Sequence, residues 1–166
     1  MKRLAKILDA VLTRVLILLV LLLICSVLWQ VISRYVFSSP SSWTEELARF
    51  LLIWISLLGA AYAFRNGMHL ALDILPQKLS GSAANMLRVA TLALIIIFSA
   101  AVLVYGGASL VQLTWELKQY SAVLGLPMAW VYTVIPASGL LICLYALMAI
   151  RDDSIGKSQT TISEGE

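Results

Sequence analysis

The chain is poor in the side chains that carry chemistry. Its 166 residues include one histidine, His69, and two cysteines, Cys25 and Cys143. Both cysteines sit inside apolar runs, where a free thiol behaves as a small buried apolar group. Two cysteines alone make neither a disulfide framework nor a tetrahedral metal site. A haem held by paired axial histidines is disfavoured by the single His69. No nucleophile–base pair and no phosphate-cradling glycine loop is present, so the reading has no catalytic residue, no cofactor and no metal. Charge is scarce as well, at 13% of residues with a net +3. The basic residues are scattered, which excludes a nucleic-acid-binding patch.

What is abundant is apolar surface. Hydrophobic residues make up 61% of the chain, against about 45–50% in soluble domains. The excess falls in long runs, the mark of a membrane protein. Four spans are predicted, at 15–33, 47–64, 89–111 and 127–150, each near the length that crosses a core of about 30 Å. The expected fold is an all-α integral membrane protein with four transmembrane helices. Residues 1–150 form a single membrane domain, and 151–166 a polar tail expected to be mobile. A short interfacial helix is expected at 1–14. The basic start and the leucine run before Cys25 resemble a lipoprotein signal only in outline. Ile24 stands where a small residue is required and the apolar run continues, so an uncleaved helix is expected. Gly106-Gly107 thin the third helix for close approach. Pro127 suits a helix start, and Pro136 should bend the fourth helix.

The stretch from Ser41 to Asp73 organises the rest. Ser42 and Glu45 have the spacing of a capping box, and Glu45 and Arg49 that of a helical ion pair. Phe50–Phe64 then carries no charge. So an amphipathic opening turn leads straight into the second span. An interfacial elbow over Asn66–Gly81 follows it. On a wheel of about 100° per residue, Glu45, Arg49, Ser56 and Ala60 share one charged-then-small stripe. Trp43, Phe50 and Trp54 fall on a bulky stripe, taken with Leu58 as the side that lipid tolerates. The polar stripe, with Glu46 beside it, either docks on another helix of this chain or of another subunit, or is a solvated helix start. Arg34 either clamps the acidic pair or snorkels at the interface. His69 and Asp73, four apart, suit a hydrogen-bonded pair, a proton site, a partner contact or a cap on an interfacial turn. Trp29, Trp43, Trp115 and Tyr120 fit an aromatic belt facing membrane lipid.

These residues carry a family resemblance. Arg34-Tyr35, then Trp43, Glu45-Glu46 and Arg49, an apolar helix with Gly59-Ala60-Ala61, and Gly67-x-His69-x-x-x-Asp73 resemble the small membrane subunit of TRAP transporters, the DctQ family. The resemblance implies a bacterial inner-membrane protein. It implies a large multi-span partner subunit that carries substrate and sodium. It also implies a periplasmic binding protein that delivers an organic acid, often a dicarboxylate or a sialic acid. The small subunit is then an extension of a fixed scaffold.

The residues themselves leave competing functions. A transport route needs polar or ionisable groups at mid-depth. The spans offer there only Ser, Thr, Gln30 and a few tyrosines. That favours an accessory scaffold over an autonomous four-helix transporter, which would need an embedded carboxylate. A four-helix haem protein and a membrane enzyme stand further off.

Basic residues set the expected topology. Nine lie on the side of the termini: Lys2, Arg3, Lys6, Arg14, Arg65, Lys78, Arg88, Arg151 and Lys157. Three lie on the other: Arg34, Arg49 and Lys118. By the positive-inside rule both termini are cytoplasmic. Reporter fusions after Lys118 should therefore report the periplasm and fusions after Lys157 the cytoplasm; the reverse pattern would overturn the four-span topology.

Overall fold

The computed structural model describes the backbone over residues 2–37, 41–66 and 82–163, and side chains over 6–37, 41–66, 86–87 and 89–151. The described residues are all but entirely helical and contain no strand, only one isolated bridge between Tyr120 and Pro127. The helices are α1 (Lys2–Tyr35), α2 (Ser42–Arg65), α3 (Ser82–Phe98), a π-helical stretch (Ser99–Gly106), α4 (Gly107–Glu116), α5 (Met128–Tyr132) and α6 (Val134–Ser163). Four helical rods are long and apolar enough to cross a membrane: Lys6–Tyr35, Ser42–Arg65, Val89–Glu116 and Met128–Arg151.

Several boundaries differ from expectation. No break separates an interfacial helix from the first span, because α1 is one helix of 34 residues. Its interior holds neither Pro nor Gly to stop it. The third rod reaches Glu116 rather than Val111, and the Gln112 amide donates to Glu116 Oε1 at 2.8 Å across that last turn. α6 runs on to Ser163, past the expected end at Ile150. The Ser42–Glu45 capping box is not formed. The N-cap is Ser41, so the residue three further on is Thr44, whose hydroxyl donates to the Ser41 carbonyl at 2.8 Å.

The rods form a row rather than a closed square. The principal backbone approaches run from first to second, second to fourth, and fourth to third. A third of the apolar window of the second rod is buried, against 6% of that of the first. The second and fourth rods are therefore the centre. Leu12, Leu58, Phe64, Leu92, Val134, Tyr145 and Ala146 join all four rods in one apolar cluster.

The fourth rod is interrupted at Thr133, three residues before Pro136. Pro136 supplies no N–H and crowds the carbonyl one turn back, which accounts for a break where a bend was expected. Val131 O, beside the interruption, accepts the Trp54 indole N–H at 3.1 Å. The third rod meets this region with its π-helical stretch, a wider winding that the sequence does not signal. Two glycines allow the contact. A Cβ on Gly139 would lie 2.6 Å from Leu103 Cβ, and one on Gly107 would lie 2.8 Å from Ile135 Cγ2. Of the expected Gly106-Gly107 pair, only Gly107 makes the approach; Gly106 is exposed.

Gly139→Ala should lower the unfolding midpoint of the detergent-solubilised chain, at a cost of about 1–3 kcal/mol for overpacking. Gly59→Ala is the comparison, since a Cβ there meets nothing within 4 Å. It should be neutral or stabilise by up to about 1 kcal/mol through helix propensity. Equal effects of the two would show that the third and fourth rods do not cross this closely.

Candidate functional site

The second helix is tied at both ends and bare along one side. At its start, the Ser26 hydroxyl of α1 donates to the Thr44 carbonyl at 3.1 Å, and both residues are buried. Thr44 is fully buried and its own hydroxyl lies 2.7 Å from Ser41 Oγ. The Glu45–Arg49 pair forms as the spacing predicts, at 3.2 Å, with side chains 62% and 69% exposed. Such an exposed pair contributes only a few tenths of a kcal/mol.

Glu46 does something the sequence does not announce. Its carboxylate accepts three successive backbone N–H groups of the loop before α5: Ala122 at 3.2 Å, Val123 at 3.0 Å and Leu124 at 2.9 Å. The loop can present them together because it reverses at two left-handed residues, Lys118 (φ 48°) and Gly125 (φ 64°). Ser121 N–H donates to Leu126 O at 2.8 Å and Gly125 N–H to Ser121 O at 3.2 Å, closing the turn. Consecutive N–H groups around one anion make a nest. Here the anion is a side chain 76 to 78 residues away, and no local pattern links the two partners. Glu46 therefore stitches the start of the second rod to the start of the fourth.

The other end carries a second tie that sequence reasoning missed. Arg65 Nε donates to Asp9 Oδ2 at 3.4 Å, and the Arg65 guanidinium lies 5.7 Å from the centre of the Tyr145 ring. That places an ion pair and a cation–π contact on three rods, the first, second and fourth. Leu and Ile spacing reveals neither; the one faint signal is Asp9, the single acid in a basic start.

Between the ties, α2 departs from one expectation at Leu58 and in part at Trp54. Thr44, Ala48, Leu51, Leu58, Ala61 and Phe64 are buried against the neighbouring rods. Leu58, taken as lipid-facing, is 7% exposed. Trp54 is half-buried and hydrogen-bonded to the fourth rod. The buried face mixes large and small side chains, with Leu51, Leu58 and Phe64 beside Thr44, Ala48 and Ala61. Glu45, Arg49, Ser56 and Ala60 are exposed. No helix of this chain covers them among the described residues. Trp43 is 47% exposed at the start of the same helix. Arg34 is exposed and makes no ion pair among the described residues, so the clamp to Glu45 and Glu46 is not formed. His69 and Asp73, with nearly all of the elbow, lie outside the described residues. Among the described residues no cluster of metal-ligating side chains occurs.

Glu46→Gln keeps the side-chain size but weakens acceptance from charged-group strength to neutral. Amide exchange should quicken at Ala122, Val123 and Leu124 and stay unchanged within α2. Unaltered exchange in that loop would mean that the carboxylate does not hold it.

The architecture is that of a small four-rod membrane protein with an uncovered helix face. Comparison with known proteins gives its family. The chain matches the family described as tripartite ATP-independent periplasmic transporters, DctQ component, over residues 23–155. It is 32% identical over 116 residues to the sialic acid TRAP transporter small permease protein SiaQ of Vibrio cholerae, covering 67% of this chain and 62% of that one. It is 31% identical over 101 residues to the C4-dicarboxylate TRAP transporter small permease protein DctQ of Rhodobacter capsulatus, covering 61% and 44%. It is also 31% identical over 114 residues to the isethionate TRAP transporter permease protein DctMQ of Oleidesulfovibrio alaskensis, covering 69% of this chain and 17% of that one. The chain thus spans less than two thirds of the length of these relatives. The family is a permease component of a transporter and not an enzyme, and this chain belongs to it: a member of the DctQ family of TRAP small permease subunits.

Proposed function

We propose that the chain is an accessory scaffold subunit of a sodium-driven secondary transporter, and that it binds and supports the large multi-span subunit. The imported substrate is an organic acid of the dicarboxylate or sialic acid type. A periplasmic binding protein delivers it. Both termini lie in the cytoplasm and the protein sits in the bacterial inner membrane. The observation that carries this reading is the uncovered stripe of α2, Glu45, Arg49, Ser56 and Ala60. Small residues let another helix approach closely, and charges at a bilayer edge need a partner. Packing inside this chain uses the other face, so the docking partner is another subunit. A second support is the relative in which a matching segment makes up 17% of a longer permease protein. Lack of any charged residue between Arg49 and Arg65 on α2, or between Met128 and Ile150, removes the chemistry of a substrate path from the central rods.

The test separates docking from folding. Ala60→Phe and Arg49→Ala should leave the unfolding midpoint of the isolated chain unchanged, yet weaken co-purification with the large subunit and uptake by the complete system together. Leu58→Phe points inward and should instead destabilise the isolated chain by about 1–3 kcal/mol. The chain reconstituted alone should show no uptake driven by sodium or proton gradients. Solo uptake would support an autonomous transporter and remove the scaffold reading. Intact assembly with lost uptake would give the stripe a mechanistic role instead.

A further inference from the structure

The end of the third rod encloses a hollow that none of the ties described above uses. It holds about 160 Å³ and is lined by Thr114, Trp115, Lys118, Gln119, Tyr120 and Pro127. That is roughly ten times the space one water needs. Backbone hydrogen bonds build its frame. Lys118 N–H donates to Trp115 O at 3.1 Å and Gln119 N–H to Thr114 O at 3.1 Å, closing the helix end. Met128 N–H then returns to Gln119 O at 2.9 Å, and Pro127 lies against Tyr120. The Thr114 hydroxyl is occupied by its own helix, at Leu110 O and Val111 O. The side-chain donors of Trp115, Lys118, Gln119 and Tyr120 have no partner among the described residues. Lys118 is the one charged group in the lining. The nearby Glu116 lies outside it, and its Oε1 takes the Gln112 amide. Lys118 also stands where glycine fits better. Its φ of 48° is left-handed, and the residue there after a helix end is usually Gly or Asn. A lysine can complement the helix dipole, but position 117, with φ −76°, would serve that purpose without the disfavoured backbone. A side chain kept in such a conformation points to a use for it.

We propose that this hollow binds the headgroup of an anionic phospholipid, with Lys118 as the cation that takes its phosphate. The apolar span Val89–Glu116 ends just before Lys118, so the hollow opens at the level of lipid headgroups. Trp115 and Tyr120, 62% and 61% exposed, give it an aromatic wall of the kind that sits at that level. A phosphodiester offers acceptor oxygens to the ammonium, indole, amide and hydroxyl donors of the lining, and it offers no donor that they would leave unmatched. The rings of Trp115 and Tyr120 then lie beside the glycerol and the first acyl carbons. Charge selects among lipids. A headgroup with its own ammonium would bring a second cation beside Lys118, and the lining has no carboxylate to offset it. Phosphatidylglycerol meets both conditions. A free phosphate would satisfy Lys118 but leave the aromatic wall without a partner.

The experiment is native mass spectrometry of the full chain in detergent, titrated separately with phosphatidylglycerol and phosphatidylethanolamine, and with inorganic phosphate as a competitor. Phosphatidylglycerol should bind the more tightly of the two lipids, and inorganic phosphate at equal concentration should not displace it. Lys118→Gly should weaken phosphatidylglycerol binding about fivefold, the effect of one basic residue at an anionic surface. Lys118→Arg should keep it. Glycine adopts the left-handed backbone freely, so the unfolding midpoint of Lys118→Gly without lipid should be unchanged or higher, which separates lost binding from lost folding. Trp115→Leu removes the indole donor and the ring and should weaken binding on its own. Wild-type affinity in both Lys118→Gly and Trp115→Leu would overturn the site. Equal binding of the two lipids would reduce it to an ordinary lipid contact, and displacement by inorganic phosphate would make it a free-anion site; either result overturns the proposal. A Lys118→Gly chain that loses affinity and midpoint together would make the lysine structural and overturn it as well.

Discussion

Lipid removes the reward that organises a soluble core. An apolar helix gains little by leaving hydrocarbon tails for another apolar helix, so close packing and polar ties must choose the arrangement. This chain uses both. Gly107 and Gly139 let the third and fourth rods touch backbone against side chain. Ser26 to Thr44, Glu46 to the loop at Ala122–Leu124, and Arg65 to Asp9 fix the second rod against the first and fourth. Each polar tie in a membrane protein contributes on average about 0.6 kcal/mol, so several weak ties act together where no single one would suffice.

The second helix is the element on which these ties converge. Its two ends are fastened by groups of opposite kind. At one end a carboxylate is wrapped by backbone N–H groups, and at the other a guanidinium meets a carboxylate and an aromatic face. Between them the helix turns Leu51, Leu58, Ala61 and Phe64 inward and Glu45, Arg49, Ser56 and Ala60 outward. That division explains how one helix can be both the core of a small subunit and its presented surface. The stripe of Ser56 and Ala60 takes no part in packing inside this chain, which uses the side carrying Leu51, Leu58 and Ala61. The proposed docking of a second protein's helix would give that stripe its use.

Much of the fold was legible in the sequence. Span number and position follow from runs such as Val15–Ser33 and Val89–Val111, because a bilayer core demands roughly 20 apolar residues in a helix. The Glu45–Arg49 pair and the break near Pro136 are local, so spacing alone predicted them. The stripe containing Ser56 and Ala60 was equally legible as a stripe. Which way it faced was not. Trp54 and Leu58 are as compatible with lipid as with a neighbouring helix, since both are apolar surroundings. Only the position of the fourth rod, whose Val131 carbonyl takes the Trp54 N–H, decides between them.

The sequence by itself determined that this is a four-span, charge-poor membrane protein, and the pattern from Arg34 to Asp73 placed it beside the TRAP small subunits. Those properties depend on composition and on neighbours within a few turns. The tertiary structure alone decided that Glu46 caps a loop 76 to 78 residues away, that Arg65 meets Asp9 and Tyr145, and that the first and third rods flank a central pair. The physical reason is the same in each case. A carboxylate, a guanidinium or a glycine states what kind of partner it can accept, but in a chain of interchangeable apolar helices nothing local states which helix will bring that partner.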